Sequence, residues 1–133
     1  SPAERSARMA RVKSSDSKAE MLVRRALHGL GYRYRLHRKD ILGTPDIAFI
    51  GRRRLVFVHG CFWHRHPGCK NARTPKSRVE FWTKKLDDNR ERDLRVQKRL
   101  RDDGWRVLVV WECETKDEQA LIARLREFME EPQ

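Results

Sequence analysis

The 133-residue sequence has no apolar run that approaches the roughly 18 residues of a membrane-spanning helix. No signal-peptide pattern opens it either, so neither a membrane protein nor a secreted one is expected. Acidic residues are in the minority: 19 Asp and Glu stand against 31 Lys and Arg, and the formal net charge is +12 at pH 7. This excess predicts binding to a polyanion, with nucleic acid as the first candidate and an anionic membrane surface as the second.

Cysteine is scarce as well. The chain has three cysteines, so at least one thiol stays unpaired in any disulfide scheme. Two histidines lie close in sequence to two of these cysteines. This arrangement favours a metal site in a reducing cytosol over a framework of disulfide bonds.

The distribution of polar and apolar residues predicts a basic arm followed by one folded domain. Residues 1–16 carry several Arg and Lys with little apolar content, which is typical of a flexible arm that orders on a partner. Residues 17–133 show helical and strand periodicities in the order helix, three strands, loop, helix, strand, helix. Two right-handed crossovers would then place helices on both faces of a mixed central sheet, which predicts an α/β fold of three layers.

Each predicted helix begins at a match to the capping-box pattern, in which Ser or Thr is followed three residues later by Glu. The pairs are Ser17 with Glu20, Ser77 with Glu80, and Thr115 with Glu118. We expect the second helix to extend to about Asp103, with a break near Asp87 and Asp88.

The segment from Val58 to Cys69 concentrates the chemistry of the chain. Its twelve residues hold three of the five histidines and two of the three cysteines, together with an adjacent Phe-Trp pair. Side chains of these types are the usual ligands of soft or borderline metal ions and the usual bases of catalysis. The segment is therefore predicted to be more than a linker.

Part of this segment has the spacing of a zinc site. Three candidate ligands fall within nine residues: Cys61, His66 and Cys69. If the last predicted strand pairs beside the strand at Leu55–Val58, Cys113 arrives next to them and completes a tetrahedral site. Such a closed site is structural, because it folds a loop that is too polar to fold by itself. His64 or His59 remains an alternative to His66 as the fourth ligand.

Asp46 is the candidate ligand for a second, harder metal ion. It follows Pro45 at the entry to a predicted strand, which is the first half of a pattern used by Mg²⁺-dependent nucleases. The second half, an acidic residue and a Lys separated by one position, is absent from the next strand, where the chain reads Phe57-Val58-His59. Pro-Asp is also a common turn, so the dipeptide alone does not identify a nuclease.

Five segments match, in order, the motifs of one known family: Gly43–Asp46, His59–His64, Glu80–Trp82, Asn89–Asp93 and Gly104–Cys113. On these segments the chain resembles the very short patch repair (Vsr) endonucleases, and the resemblance extends from about Ser6 to Phe128. It implies a restriction-endonuclease-like core with structural zinc. It also implies an enzyme that nicks DNA 5′ to the thymine of a T:G mismatch left by deamination of 5-methylcytosine.

Carried over by position, the resemblance implies a set of catalytic residues: Asp46, His59, His64, Asp93 and Glu20. Asp46 would bind a catalytic Mg²⁺ together with the backbone carbonyl of Val58. His64 would be the general base for the attacking water, oriented by Asp93, and His59 would be a second imidazole at the phosphate. Glu20 would lie near the waters of the metal ion, although its place in a capping box explains it equally well.

The resemblance also implies the zinc ligands and an aromatic wedge. The zinc ligands are Cys61, His66, Cys69 and Cys113, although Arg65, Pro67 and Gly68 interrupt the family's usual run of histidines and leave the fourth ligand open. The wedge that enters a base step consists of Phe62, Trp63 and Trp82, with Met9 entering from the other groove. Core packing is the ordinary role of a tryptophan, and it is the role expected for Trp105 and Trp111.

Together these features predict a monomeric, Mg²⁺-dependent, zinc-stabilised endonuclease that acts on double-stranded DNA with a T:G mismatch. It would work in the bacterial cytoplasm in association with the nucleoid, with mismatch-repair proteins as candidate partners and no membrane partner. One alternative is a nicking enzyme with a different mismatch or sequence specificity. The other is a non-catalytic, zinc-stabilised DNA-binding module.

Overall fold

The computed structural model describes residues 16–132, so nearly all of the predicted basic arm, Met9 included, lies outside the described residues. The helices and strands are α1 (Lys18–Gly29), β1 (Arg35–Leu36), β2 (Ile47–Phe49), β3 (Arg54–His59), α2 (Val79–Asp102), β4 (Arg106–Trp111) and α3 (Glu118–Glu130). The predicted order of elements is confirmed. Within the described residues, no helix is both long and apolar enough to cross a membrane.

The four strands form one mixed sheet in the order β1-β2-β3-β4. β1 and β3 each pair with β2 in the antiparallel direction, and β3 pairs with β4 in the parallel direction. The mixed sheet is confirmed, but the prediction of two crossovers is wrong, because the described strands include a single parallel pair. A tight turn before β3 joins it to β2 as a hairpin, so only the connection through α2 crosses over.

β1 is much shorter than the alternating pattern from Tyr32 to His37 predicts. Only two residues pair with β2. The rings of Tyr32 and Tyr34 instead pack edge-on against Phe49, with centroid separations of 6.1 and 6.0 Å. Packing of these two side chains therefore replaces strand pairing in this segment.

Helices cover both faces of the sheet, which confirms the three-layer α/β architecture. α1 and α3 pack on one face, where Val23 and Leu125 lie in one cluster with Val56 of β3. α2 covers the other face, where Leu100 packs with Leu55 and neighbouring residues. Since successive side chains of a strand point to opposite faces, a strand covered on both sides has a continuous apolar sequence.

The three predicted helix starts compare differently with the structure. Ser17 caps α1 as predicted, because its Oγ accepts a hydrogen bond of 3.1 Å from the backbone N–H of Glu20. The Glu20 carboxylate accepts from the backbone N–H of Asp16 at 3.3 Å, one residue earlier than the pattern requires. At α2 the prediction is wrong: the helix begins after Arg78, which has a φ of +53° and no side-chain cap.

The start of α3 and the continuity of α2 also differ from the predictions. Asp117 caps α3, with its carboxylate accepting from the backbone N–H of Ala120 at 3.1 Å. Thr115 does not cap, because its hydroxyl donates to the carbonyl of Glu112 at 2.7 Å. α2 runs unbroken past Asp88, which forms a 2.9 Å ion pair with Lys84 one turn earlier.

A buried arginine holds the end of α3 against the sheet, and its loss is expected to destabilise the fold. Arg54 is 3% exposed, and its guanidinium donates to the carbonyls of Phe128 and Glu131. Arg54→Met would leave these acceptors without a donor, so we expect the free energy of unfolding to fall by about 1–3 kcal/mol in urea denaturation. Arg99→Met, at a side chain that is 70% exposed, is the matched control and should change it by less than about 0.5 kcal/mol. Equal effects of the two substitutions would contradict this role of Arg54.

Candidate active site

Two carboxylates from different elements lie close together at one end of the sheet. Asp46 immediately precedes β2, and its Oδ2 accepts a hydrogen bond of 2.7 Å from the backbone N–H of Val58 in β3. Glu20, in the first turn of α1, is 2% exposed. Burial raises the pKa of Asp46 to about 7; the hydrogen bond from Val58 acts in the opposite direction, and the charge of Glu20 raises the pKa further. Paired carboxylates in a desolvated position offer the hard oxygen ligands that Mg²⁺ prefers.

Two histidines stack on each other at the carboxyl end of β3. The rings of His59 and His64 are 3.8 Å apart with an interplanar angle of 6°. His64 donates from Nδ1 to Oδ2 of Asp93 in α2 at 2.6 Å. This bond fixes the tautomer of His64 and leaves its Nε2 free to accept a proton.

His59 has a different environment from His64. Its side chain is buried, and its Nδ1 has no hydrogen-bond partner among the described residues. Burial lowers the pKa of His59 to about 3, with the neighbouring His64 as the second cause. The imidazole of His59 is therefore neutral at physiological pH.

A single cleft of about 1330 Å³ brings the carboxylates and the histidines together. Glu20 and Asp46 line it with His59, His64 and Asp93. Lys39, Lys85 and Arg92 add positive charge to the same cleft. A phosphate backbone could therefore be bound where a carboxylate pair and a candidate base face it.

Three cysteines and one histidine converge beside this cleft: Cys61, His66, Cys69 and Cys113. Their donor atoms all lie within 4.8 Å of one another, and Sγ of Cys113 is 3.5 Å from Nδ1 of His66. Zinc binds thiolates at about 2.3 Å in a tetrahedral arrangement, so the donor set and its spacing fit a four-coordinate zinc ion.

The parallel pairing of β3 with β4 explains how Cys113 reaches the loop. Its register aligns His59 with Trp111, so Cys113 follows two residues beyond that pair. The predicted meeting of Cys113 with the loop is confirmed. Of the alternative imidazoles, His59 and His64 group with Asp93 instead, and His66 is the one that lies with the cysteines.

The three residues expected to form a wedge make one aromatic cluster. Phe62 lies 5.1 Å from Trp63 and 5.5 Å from Trp82, measured between ring centroids. Phe62 and Trp63 are partly exposed and line the cleft, whereas Trp82 is 8% exposed and supports them from α2. Asn89 of α2 donates to the carbonyl of Trp63 at 3.2 Å, which ties the loop to the helix.

Comparison of the chain with known proteins identifies the family to which it belongs. A family model described as DNA mismatch endonuclease Vsr matches residues 1–71. The chain belongs to the Vsr family. Among its relatives, the DNA mismatch endonuclease Vsr of Escherichia coli is 39% identical over 96% of this chain and 84% of its own length. The mixed sheet with helices on both faces is consistent with the restriction-endonuclease-like core expected of a Vsr endonuclease.

Other relatives are nicking enzymes. The type II nicking enzyme V.XorIIP of Xanthomonas oryzae pv. oryzae is 52% identical, with coverage of 98% of this chain and 95% of the relative. The type II nicking enzyme V.NmeAIP of Neisseria meningitidis is 40% identical, with coverage of 92% and 87%. This Vsr-family chain is therefore an endonuclease, and the alternative of a non-catalytic DNA-binding module is set aside.

Two residues near the Vsr cleft have surroundings that the sequence did not predict. His37, the polar end of the alternating pattern that begins at Tyr32, lines the cleft, and its Nε2 lies 2.9 Å from Oε2 of Glu20. The antiparallel register of β1 and β2 reveals this position, because it pairs Leu36 with Ile47 and so places His37 opposite Asp46.

The core position expected for the two tryptophans is right for Trp105, which packs on the α2 face of the sheet, and wrong for Trp111. Trp111 is partly exposed and stacks on His66 at 4.2 Å.

Proposed function

We propose that this endonuclease nicks one strand of double-stranded DNA 5′ to the T of a T:G mismatch and that it requires Mg²⁺. The observation that carries the proposal is the single cleft, which combines a carboxylate pair, a histidine oriented by Asp93 and the partly exposed rings of Phe62 and Trp63. Its positive side chains suit a DNA backbone. The relatives named as a mismatch endonuclease and as nicking enzymes support the same reaction class.

His64 is proposed to accept a proton from the attacking water at Nε2. Asp93 supports this role because it holds the other ring nitrogen and stabilises the imidazolium that forms. His59, neutral and stacked on His64, is proposed to lie against the phosphate and to restrict the orientation of the His64 ring. Hydrolysis would then proceed by in-line attack of water on the phosphorus.

Asp46 is proposed as the main protein ligand of Mg²⁺, with the backbone carbonyl of Val58 as a further ligand and Glu20 near the metal waters. When bound, Mg²⁺ polarises the scissile phosphate and lowers the pKa of its coordinated water. The chain's own contribution is the orientation of Asp46, whose Oδ2 is fixed by the N–H of Val58.

Zinc is proposed to bind Cys61, His66, Cys69 and Cys113 and to hold the loop that carries His64. Three of these ligands flank His64 within the same loop, and Cys113 anchors the loop beyond the end of β4. A fixed loop would keep the His64 ring stacked on His59 and bonded to Asp93. The role of the zinc ion is therefore structural, as the closed set of four protein ligands suggests.

Phe62 and Trp63, supported by Trp82, are proposed to enter the base step at the mismatch. Flat side chains beside a basic groove can open a step, and an unstable pair lowers the cost of opening. Met9, outside the described residues, is proposed to approach from the other groove. The enzyme is proposed to act as a monomer on chromosomal DNA in the bacterial cytoplasm, with mismatch-repair proteins as candidate partners.

A second candidate function keeps the nicking reaction and changes the specificity to another mismatch or a particular sequence. The observation in its favour is that two of the relatives above are named type II nicking enzymes. Base choice depends on a few contacts in the grooves of DNA, so the same catalytic cleft is compatible with either specificity.

Cleavage of end-labelled duplexes tests the proposal directly. Duplexes with T:G, each other mismatch and full pairing are compared in several sequence contexts, with Mg²⁺ and with a chelator. We expect one nick 5′ to the mismatched T, in one strand only and only with Mg²⁺, at a rate at least about 100-fold above that of paired DNA. Equal cleavage of paired DNA would contradict the mismatch specificity and leave the nuclease assignment standing.

A further inference from the structure

We propose that His37 is a positioning residue that holds the Glu20 and Asp46 carboxylates in the geometry needed for a divalent cation. The proposal rests on the proposed function, because it takes these carboxylates as the metal site. His37 contacts both segments: its Nε2 donates to Oε2 of Glu20 at 2.9 Å, and its backbone N–H donates to the backbone carbonyl of Asp46 at 3.0 Å. One residue thus ties the first turn of α1 to the entry of β2.

The backbone of His37 indicates that these two contacts determine its conformation. His37 has a φ of +46°, in the left-handed region that a residue with a side chain adopts only at an energetic cost. Such a conformation persists when surrounding contacts require it. In an extended conformation the residue would continue β1, and we infer that the turn exists to direct the ring to Glu20.

The surroundings of Glu20 explain why its orientation depends on His37. The carboxylate is 2% exposed and has three nearby donors. Nε2 of His37 is the closest at 2.9 Å, whereas the guanidinium of Arg24 and the backbone N–H of Asp16 each lie at 3.3 Å. The ring of His37 therefore makes the shortest of the three contacts that fix this carboxylate. Without the ring of His37, Glu20 would keep only the two longer contacts, and its orientation beside Asp46 would be less fixed.

The group formed by Asp16, Glu20 and His37 is not a separate cation site. Arg24 already supplies the positive charge that balances the two carboxylates of this group: its guanidinium lies 2.8 Å from Asp16 and 3.3 Å from Glu20. Within this group Oε1 of Glu20 accepts from the backbone N–H of Asp16, and Oε2 accepts from Arg24 and His37. The histidine therefore acts through Glu20 and Asp46 rather than as a ligand of its own.

Two substitutions that differ by one methylene test the proposal. His37→Asn tolerates the left-handed backbone but is too short to reach Glu20, whereas His37→Gln places an amide N–H near the position of Nε2. Binding of Mn²⁺ to the zinc-loaded protein without DNA is measured by the loss of the free Mn²⁺ signal in electron paramagnetic resonance. Nicking of a T:G duplex gives kcat and KM separately. His28→Ala, at an exposed histidine of α1, is the control.

We expect His37→Asn to weaken Mn²⁺ binding and to lower kcat by about 10–100-fold each, with KM for DNA unchanged. His37→Gln should restore most of both values although its backbone suits the left-handed region less well, and His28→Ala should match the parent protein. Thermal unfolding of each variant identifies any loss of fold, which would appear in KM as well. Unchanged Mn²⁺ binding in His37→Asn, or equal losses in the Asn and Gln variants, would overturn the proposal.

Asp46→Ala separates this proposal from the proposed function. If Asp46→Ala abolishes Mn²⁺ binding and His37→Asn does not weaken it, the metal site stands and only the positioning role is wrong. If Asp46→Ala leaves Mn²⁺ binding intact, the proposed metal site is wrong, and the role of His37 fails with it.

Discussion

Asp46→Ala is expected to lower the single-turnover nicking rate of a T:G duplex by at least about 1,000-fold while leaving DNA affinity nearly unchanged. A catalytic metal ion supplies several kcal/mol of transition-state stabilisation, and each 1.4 kcal/mol or so corresponds to a factor of ten in rate. Asp46 is the carboxylate that the Val58 N–H fixes in the cleft, so its loss removes the main candidate ligand. DNA affinity, measured by gel retardation without Mg²⁺, depends on the basic side chains instead.

Asp40→Ala is the matched control for this substitution. Asp40 lies six residues earlier on the same connection, is 62% exposed and pairs with Arg38 rather than with any residue of the cleft. The control should nick at the parental rate. An Asp46→Ala protein that retains more than about a tenth of the parental rate would contradict the assignment of Asp46 as the principal metal ligand.

Removal of zinc is expected to stop nicking while most of the helices and strands remain. The four proposed ligands tie the loop after β3 to the segment after β4, so their release should free His64 from Asp93 and His59. Neither hydrophobic cluster of the core contains any of the four ligands. Far-UV circular dichroism should therefore change little, while nicking measured with excess Mg²⁺ falls at least about 100-fold.

The design must separate zinc loss from Mg²⁺ loss, because chelators remove both. The stripped protein is assayed after excess Mg²⁺ is restored, and again after Zn²⁺ is added back. Zn²⁺ should rescue the parent and not Cys113→Ser, which lacks one ligand. Full activity of the stripped protein with Mg²⁺ alone would show that the Cys and His group has no role in holding the catalytic loop.

The features that were predicted best depend only on the local pattern of apolar residues and on the pairing of one strand with its neighbour. The continuous apolar runs of β3 and β4 indicated strands covered on both faces, and pairing them side by side was enough to bring Cys113 to Cys61. The roles proposed for Asp46 and His64 came from a family resemblance, and the structure places both residues in one cleft. The order of helices and strands was therefore predictable from the sequence alone.

What the sequence could not reveal depends on contacts between distant segments. His37 looked like the polar end of an alternating strand, and only the register of a two-residue pairing shows that it meets Glu20 and Asp46. Ser77 satisfied a helix-start pattern that the backbone does not use, because Arg78 takes a left-handed conformation just before α2. Local propensity is a weak constraint where tertiary packing sets the end of an element.

The helix α2 sets a fixed distance between two parts of the cleft. Trp82 and Asp93 are eleven residues apart on this unbroken helix, which is close to three full turns, so they share one face about 16 Å apart along the axis. Trp82 supports the aromatic cluster, and Asp93 orients His64. Under the proposed mechanism, the separation between the opened base step and the cut bond is set by this helix, and it should stay constant whatever sequence surrounds the mismatch. An insertion of one residue between them would rotate Asp93 away from His64 by about 100° and separate the proposed base-step opening from the proposed strand cleavage.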